Sequence, residues 1–296
     1  MSENKDKTGA EVTQSPPAIP RGAYLFLGMP GAGKTVFFTI MCRLLQQEGL
    51  KNGAFNFEFI PGGLDPQNAN STRDYIVNNW DCIEQRRWPG KTAANQKVAE
   101  HCVNPYVCEL SHKRNFLWPK KYTICNIDYP GESFRAAFSP HGTYDGASDS
   151  VRNIALLLKS AVDHAKGVFL LIDAENIFNA DDKEKNDIDN RLGALFRYIR
   201  DKNRSVRVAV VFNKMELFDI SKDPEENVYK VFTEKYSNAC AAMQLLSSYS
   251  VFFAYPFGKI DRTADGDVIP PESREPKNML EIAEWIFDVK KGTLKS

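Results

Sequence analysis

Short apolar runs alternate along the chain with longer segments in which apolar residues recur every third or fourth position. Such alternation is typical of buried strands that are followed by amphipathic helices. The apolar runs predict strands at residues 23–28, 105–111, 121–128, 167–173, 206–212 and 250–254. The helical patterns fall at residues 34–48, 149–165, 184–202, 222–248 and 276–290. Strands and helices in this order predict an α/β fold of three layers, α/β/α, with a mostly parallel sheet between two layers of helices.

Two neighbouring runs depart from the strand–helix alternation. Residues 105–111 and 121–128 are separated only by a short polar segment, which predicts an antiparallel hairpin. One antiparallel edge strand beside an otherwise parallel sheet is common. The long segment before this hairpin contains a strand-like run at 54–59 and a helix-compatible stretch from about 72 to 87. This segment is therefore expected to have secondary structure of its own.

The chain shows no internal repeat and no clear domain boundary. Residues 1–20 are polar and lack periodicity, so we expect them to be disordered. The remainder, 21–296, is expected to form a single domain. Within that domain, we interpret the stretch at about 50–104 as a long insertion that follows the first strand and helix.

Composition argues against several classes of function. Basic and acidic residues number 38 each and cancel, so no general field draws the chain to nucleic acid or to an anionic membrane. The six cysteines are scattered without a C-x-x-C pair, which predicts buried free thiols rather than a zinc site. No apolar run approaches the roughly 18 residues that a membrane span needs, and the N-terminus lacks a signal-peptide core. The expected compartment is the reducing cytoplasm.

The most specific motif is the octapeptide Gly28–Thr35, which matches G-x-x-x-x-G-K-[ST] between a predicted strand and a predicted helix. Its glycines let backbone N–H groups turn inward around phosphates, and the helix N-terminus adds partial positive charge. Lys34 is predicted to contact the β- and γ-phosphates, and the Thr35 hydroxyl to ligate Mg²⁺. The predicted nucleotide contacts of this P-loop are Gly28, Met29, Pro30, Gly31, Ala32, Gly33, Lys34, Thr35 and Val36.

A second motif, Asp128-Tyr129-Pro130-Gly131, follows the predicted strand at 121–128. An aspartate at the tip of a strand beside a P-loop can hold the Mg²⁺ water shell. Gly131 has no side chain to keep its N–H away from the γ-phosphate, so it can sense that phosphate. Asp128 is therefore a predicted metal residue, and Gly131 a predicted catalytic one.

A third motif, Asn213-Lys214-Met215-Glu216, follows the strand at 206–212. With it, the chain resembles the GTPases of the translation-factor and Ras-like class, whose order is P-loop, D-x-x-G and N-K-x-D. The resemblance implies that Glu216, in place of the usual aspartate, accepts two guanine N–H groups, that Lys214 packs along the base and that Asn213 ties this loop to the P-loop. The alternative is an ordinary strand-to-helix turn. At the position of the family's last motif the residues do not match, and only backbone near Tyr255 is expected close to the base.

Within this class, the stretch Trp88-Pro89-Gly90-Lys91-Thr92 resembles the W-P-x-x-T motif of the double-GTPase group, which is associated with bacterial conflict systems. The D-x-P-G-E form at 128–132 agrees with that group. The resemblance implies a switch threonine that completes the Mg²⁺ shell together with Thr35 and Asp128. Thr92 is the expected residue because it precedes a strand, and Thr72 is the alternative.

In this kind of site the protein promotes hydrolysis by positioning the reacting groups and by stabilising charge, and it forms no covalent bond to the substrate. The water-orienting position of the family, directly after Gly131, holds Glu132. A carboxylate beside a triphosphate is repelled by it unless a neighbour such as Arg135 orients it. Arg86 and Arg87 are either arginine fingers supplied in cis or solvated surface charges. The predicted catalytic residues are Lys34, Gly131 and Glu132.

The sequence as a whole predicts a P-loop GTPase domain that binds GTP or GDP with Mg²⁺ and hydrolyses GTP slowly without a partner. Its output would be a nucleotide-dependent surface around 60–100 and 129–148, which an unidentified protein effector or activator recognises. Two alternatives stay open. One is an ATPase in which Asn213–Glu216 is only structural, and the other is a nucleotide-binding scaffold that barely hydrolyses.

Overall fold

A seven-stranded sheet forms the middle layer of the protein. The computed structural model describes residues 19–53, 55–60, 71–90, 105–112, 120–129, 131–139, 148–219 and 222–294. The strands of the sheet are β1 (Tyr24–Gly28), β2 (Phe55–Phe59), β3 (Pro105–His112), β4 (Lys120–Ile127), β5 (Gly167–Asp173), β6 (Arg207–Asn213) and β7 (Tyr249–Phe253). A two-stranded ribbon, β8 (Asp261–Arg262) with β9 (Val268–Ile269), lies outside it.

The strand order of the sheet is β2-β3-β4-β1-β5-β6-β7. β1 pairs in parallel with β4 and β5, and the parallel pairing continues through β6 to β7. β3 is antiparallel to β4 on one side and to β2 on the other. The predicted mostly parallel sheet with an antiparallel edge is therefore confirmed, and so is the hairpin formed by β3 and β4.

Helices cover both faces of the sheet. They are α1 (Lys34–Asn52), α2 (Ser71–Glu84), α3 (Gly131–Ala137), α4 (Asp149–His164), α5 (Ala174–Asn179), α6 (Asp182–Lys202), α7 (Pro224–Lys235), α8 (Ser237–Gln244) and α9 (Met279–Ile286). A short 3₁₀ turn spans Met215–Leu217. In the part of the chain that the structure describes, no helix is both long and apolar enough to cross a membrane.

One long helix over 222–248 was the expectation from periodicity, and it is wrong. The helix breaks at Tyr236, whose backbone lies at φ −118° and ψ 54° between α7 and α8. The Tyr236 hydroxyl donates to the carbonyl of Ile177 at 2.9 Å, and its ring stacks on Phe232. This buried anchor fixes the break, while the apolar spacing continues on both sides of it.

The core lies on both faces of the sheet because successive strand residues point to opposite sides. On β1, Leu25 and Leu27 pack in a cluster with α4, α6, α7 and α8. Phe26 points the other way, into a cluster with α1, α2 and α9, and stacks on Phe169 of β5 with ring centroids 4.4 Å apart. Parallel strands covered on both faces read as continuous apolar runs, which is why the sequence identified them.

The predicted N-terminal disordered segment, 1–20, lies outside the described residues except for its last two positions. Among the cysteines that the structure describes, all five are free thiols, and no group of three or more His, Cys, Asp or Glu side chains there could hold a metal ion. The free thiols agree with the expectation from cysteine spacing, and four of them, Cys42, Cys108, Cys125 and Cys240, are buried.

Candidate functional site

The parallel strands end together at one edge of the sheet, and each sequence motif lies at or directly after one of these strand ends. The end positions are Gly28 on β1, Asp128 just after β4, Asp173 on β5 and Asn213 on β6. Because adjacent parallel strands share one direction, their carboxyl ends form a common edge where ligands bind in open α/β sheets. No sequence motif marks Asp173, yet the fold brings it to the same edge.

The P-loop takes a backbone shape that its glycines make possible. Gly31 and Gly33 have φ angles of 78° and 79°, in the left-handed region that side chains disfavour. A Cβ on Gly33 would also lie only 2.7 Å from the Asn213 amide nitrogen. α1 begins at Lys34 directly after this turn, so its N-terminus faces the loop, as phosphate binding requires.

Lys34 is held at the mouth of this loop. Its ammonium donates to the carbonyl of Gly28 at 3.2 Å and lies 4.5 Å from the centre of the Tyr129 ring. Burial lowers the pKa of Lys34 to about 8, and the nearby charge of Asp128 opposes that shift. The ammonium of the half-buried Lys34 is thus held by protein contacts near the Asp128 carboxylate of the second motif.

Tyr129 joins the second motif to the P-loop. Its hydroxyl donates to the carbonyl of Gly28 at 2.9 Å and accepts the Gly28 N–H at 3.1 Å. Sequence analysis gave no role to Tyr129, although it lies inside the D-x-P-G motif. The two hydrogen bonds complete both polar groups of the last β1 residue, so the start of the P-loop is anchored by a buried side chain.

Gly131 packs directly against the P-loop. A Cβ at this position would come 2.1 Å from Cγ of Pro30, so the close approach depends on glycine. Glu132 follows it, exposed in the first turn of α3. Both side chains are described, and none of the ion pairs found among the described residues involves Glu132 or Arg135. The expected orienting partner of Glu132 is therefore not in place here.

The third motif docks on the P-loop through Asn213. Its amide nitrogen donates to the carbonyl of Ala32 at 2.8 Å, which is the tie that the resemblance implied. Lys214 adopts φ 67°, and its ammonium lies 2.5 Å from Asp173 Oδ2. The other carboxylate oxygen of Asp173 accepts the N–H groups that begin α5. Asp173 therefore fixes both α5 and the Lys214 side chain.

Glu216 is a buried carboxylate with spare hydrogen-bonding capacity. The residue is 9% exposed, and its Oε2 has no hydrogen-bond partner among the residues that the structure describes. Burial raises the pKa of Glu216 to about 7, opposed by its own backbone N–H, the charge of Lys214 and the N–H of Phe257. The loop after β7 thus contacts Glu216 through the N–H of Phe257, and the hydroxyl of Tyr255 in the same loop donates to Glu225.

Two of the predicted Mg²⁺ residues, Thr35 and Asp128, lie on this edge of the site. Hydroxyl and carboxylate oxygens are the donors that Mg²⁺ prefers, with phosphate oxygens completing the shell, so the donor set fits this cation. Thr92 falls outside the described residues. Thr72 is buried, and its hydroxyl accepts the N–H of Val107 at 3.1 Å. The Thr72 hydroxyl therefore binds the backbone of β3, which argues against Thr72 as the switch threonine.

The two candidate arginine fingers contact residues outside the P-loop. Arg86 donates to the carbonyl of Pro270 and pairs with Asp261 at 2.8 Å, next to the β8–β9 ribbon. Arg87 is exposed and hydrogen-bonds Gln85. Trp88 donates from its indole to the carbonyl of Val268 at 2.8 Å. This stretch therefore anchors the end of the α2 segment to the ribbon.

We expect the substitution Asn213→Ala to lower the free energy of unfolding by about 1–3 kcal/mol, because it leaves the buried carbonyl of Ala32 without its donor. Chemical denaturation measures the change. Asn227→Ala is the matched control, since Asn227 donates to the Lys222 carbonyl from an exposed position. An equal loss of unfolding free energy in the two variants would show that the Asn213 hydrogen bond contributes no more to stability than an exposed one.

No family model matches the sequence, and no curated protein matches it. The chain is similar to a chain of the signal recognition particle receptor SRb-GTP/SRX complex from Chaetomium thermophilum, at 16% identity and a TM-score of 0.37, with 82% of this chain and 94% of that chain covered. It is also similar to the S. cerevisiae Ski7 GTPase-like domain, bound to GTP, at 17% identity and a TM-score of 0.33, with 78% of this chain and 42% of that chain covered. Because both TM-scores are low, we describe the fold from the strand order and the helix layers alone. The strand order, the mostly parallel sheet and the helices on both faces confirm the three-layer α/β/α fold that the sequence predicts.

Proposed function

We propose that the chain is a Mg²⁺-dependent GTP-binding switch with slow intrinsic GTP hydrolysis. The observation that carries the proposal is the hydrogen bond from Asn213 to the carbonyl of Ala32, which joins the third motif to the P-loop. A turn that served only to connect β6 to the next helix would not need to bind a loop 181 residues away. The contact brings the base-recognising residues and the phosphate-binding residues into one site.

In this function, Gly28 to Val36 bind the phosphates through their backbone, and Lys34 contacts the β- and γ-phosphates. Thr35 and Asp128 hold the Mg²⁺ ion, with Thr92 as the proposed third protein ligand. The ion, when bound, offsets negative charge on the transferring phosphoryl group. Gly131 holds a γ-phosphate oxygen through its N–H, which its close packing on Pro30 supports.

Guanine recognition is assigned to Glu216 and Lys214. The unpartnered oxygen of the buried Glu216 can accept a donor from a base, and guanine offers two adjacent N–H donors where adenine offers none in that arrangement. Lys214, fixed by Asp173, packs its stem along the base. An unpaired buried polar group is costly, so a base that satisfies Glu216 gains affinity over one that does not.

The purified protein is expected to turn over GTP on the order of 10⁻³ s⁻¹ or more slowly, as unassisted small GTPases do. The physical reason is that Glu132 is exposed and, within the part of the chain that the structure describes, makes no ion pair with Arg135 that would orient a carboxylate which the triphosphate repels. Phosphate release under single-turnover conditions measures the rate. Turnover of several per second by the protein alone would contradict the switch proposal.

A slow switch needs a partner, so we propose a protein effector or activator that binds the surfaces around 60–100 and 129–148. We also propose that 21–296 form one GTPase domain with the insertion at about 50–104. Membership of the double-GTPase group stays a prediction from the motif that begins at Trp88.

A further inference from the structure

A tyrosine of α2 lies close to two of the three proposed Mg²⁺ residues, Thr35 and Asp128. Tyr75, on α2, donates its hydroxyl hydrogen to Thr35 Oγ1 at 3.3 Å. The Asn126 side chain, on β4, hydrogen-bonds the same phenol, while burial first and then the charge of Asp128 raise the pKa of Tyr75. The phenol is thus close to the hydroxyl of Thr35 and to the carboxylate of Asp128 at once.

The position of Tyr75 is set by the packing of α2. Its ring stacks on that of Tyr106 on β3, with centroids 3.6 Å apart and planes 17° apart. One turn earlier, Thr72 accepts a hydrogen bond from the backbone of β3, and Ile76 is fully buried in the core. The phenol therefore cannot leave Thr35 freely, and its departure requires α2 or the ring stack to shift.

We propose that Tyr75 is a latch on the metal site, whose hydroxyl competes with Mg²⁺ for the oxygen of Thr35. The inference rests on the proposed function, since Thr35 matters here as the Mg²⁺ ligand. A hydroxyl that ligates a cation directs a lone pair at it. In the observed contact the Tyr75 hydroxyl lies 3.3 Å from Thr35 Oγ1 and shares a hydrogen bond with it, and a phenol that donates to this oxygen occupies a lone pair that a bound cation would use. Binding of Mg²⁺ with nucleotide displaces the phenol and moves α2.

The far half of α2 offers a reporter for that movement. Trp80 lies one and a half turns from Tyr75, with the guanidinium groups of Arg43 and Arg274 at 5.2 and 5.3 Å from its ring. Arg274 also pairs with Glu84 at 2.7 Å, so this end of the helix is held against the loop that follows the β8–β9 ribbon. Displacement of α2 changes the charged surroundings of the indole, and indole emission depends on such surroundings.

The test is the Mg²⁺ dependence of binding of a non-hydrolysable GTP analogue, measured by calorimetry for wild type, Tyr75→Phe and Tyr106→Phe. We expect Tyr75→Phe to reach half-maximal effect at about fivefold less Mg²⁺, the factor that one neutral hydrogen bond is worth. Affinity in EDTA should not change. Tyr106→Phe removes the same atom from the neighbouring ring and should match wild type. Addition of Mg²⁺ to the wild-type complex should shift a tryptophan emission that Trp80→Phe lacks.

An unchanged or higher Mg²⁺ requirement in Tyr75→Phe would overturn the latch, the higher value because it would mean that Tyr75 supports Thr35 as a ligand. The absence of a Trp80 signal would overturn the movement of α2. If the wild type bound no nucleotide in either EDTA or Mg²⁺, the proposed function itself would fail and the latch with it. Nucleotide binding with an unaltered Mg²⁺ requirement would remove the latch alone.

Discussion

Replacing Lys34 with alanine is expected to weaken binding of a GTP analogue by about a hundredfold or more, the usual cost of removing one partner of a buried, hydrogen-bonded charge pair. The ammonium of Lys34 is already held by the Gly28 carbonyl and the Tyr129 ring. Since these two contacts already orient the half-buried side chain, little further ordering is needed when a phosphate arrives. The side chain is pre-organised for an anion, and calorimetric titration measures its loss.

Lys51→Ala is the matched control for this prediction. Lys51 lies in the last turn of the same helix, is 60% exposed and pairs with Glu48 at 2.7 Å. Exposed pairs of this kind contribute little, so affinity should equal that of wild type. Thermal denaturation of both variants checks that they fold. Equal affinity of Lys34→Ala and Lys51→Ala would show that Lys34 does not bind phosphate.

The preference for GTP over ATP is expected to fall about tenfold for each pH unit below 7, following the raised pKa of Glu216. The sign follows from the two protonation states. Burial favours the neutral acid, whereas two guanine donors need the carboxylate, so the competent form becomes scarce once the pH drops below about 7. Above that pH the preference should be constant. The ratio of the two affinities is the quantity to measure, because titration of the phosphates affects GTP and ATP alike.

The variant Glu216→Gln provides the control for the pH profile. Glutamine has similar size but no titrating group, and its amide offers one acceptor instead of two, so its preference for GTP should be small and independent of pH. A pH-dependent ratio that survives in Glu216→Gln would mean that another group titrates. A flat profile in wild type would mean that Glu216 does not contact the base.

Much of the fold could be predicted because the strongest signals are local. The run at 167–173 is buried on both sides and coincides with β5, and the start of α1 at Lys34 follows from the P-loop glycines. The short helices α3 and α5 were missed because six or seven residues carry no helical period. Their positions depend instead on tertiary contacts such as the capping of α5 by Asp173.

The site was predicted in its motifs but not in its connections. Spacing and residue type predict that Lys34, Asn213 and Glu216 lie near a bound nucleotide, since each motif has a chemical reason for its order. Nothing in the sequence pairs Tyr75 with Thr35 or Lys214 with Asp173, because such contacts join positions about forty residues apart that share no periodicity. Arg86 shows the reverse case, because the sequence left it as either an arginine finger or a solvated surface charge, while the fold binds it to Asp261 of the β8–β9 ribbon.

Helix α2 and the residues that follow it contact both the metal side and the base side of the proposed site. Tyr75, near its start, touches the metal side of the site, and Glu84, at its end, is bound by Arg274. Just beyond the helix, the Trp88 ring lies edge-on to Phe257 at 5.4 Å, and Phe257 is the residue whose N–H reaches Glu216. A shift of α2 would thus change contacts at both the phosphate end and the base end of the proposed nucleotide site.

The central claim is that the three motifs form one guanine-nucleotide site, and the most direct measurement is a calorimetric titration with non-hydrolysable GTP and ATP analogues in Mg²⁺. The account predicts that wild type binds the GTP analogue at least about a hundredfold more tightly, a gap of roughly 2.7 kcal/mol, and that Glu216→Ala abolishes the gap. Equal or tighter binding of the ATP analogue by wild type would contradict it, and the third motif would then be a structural turn.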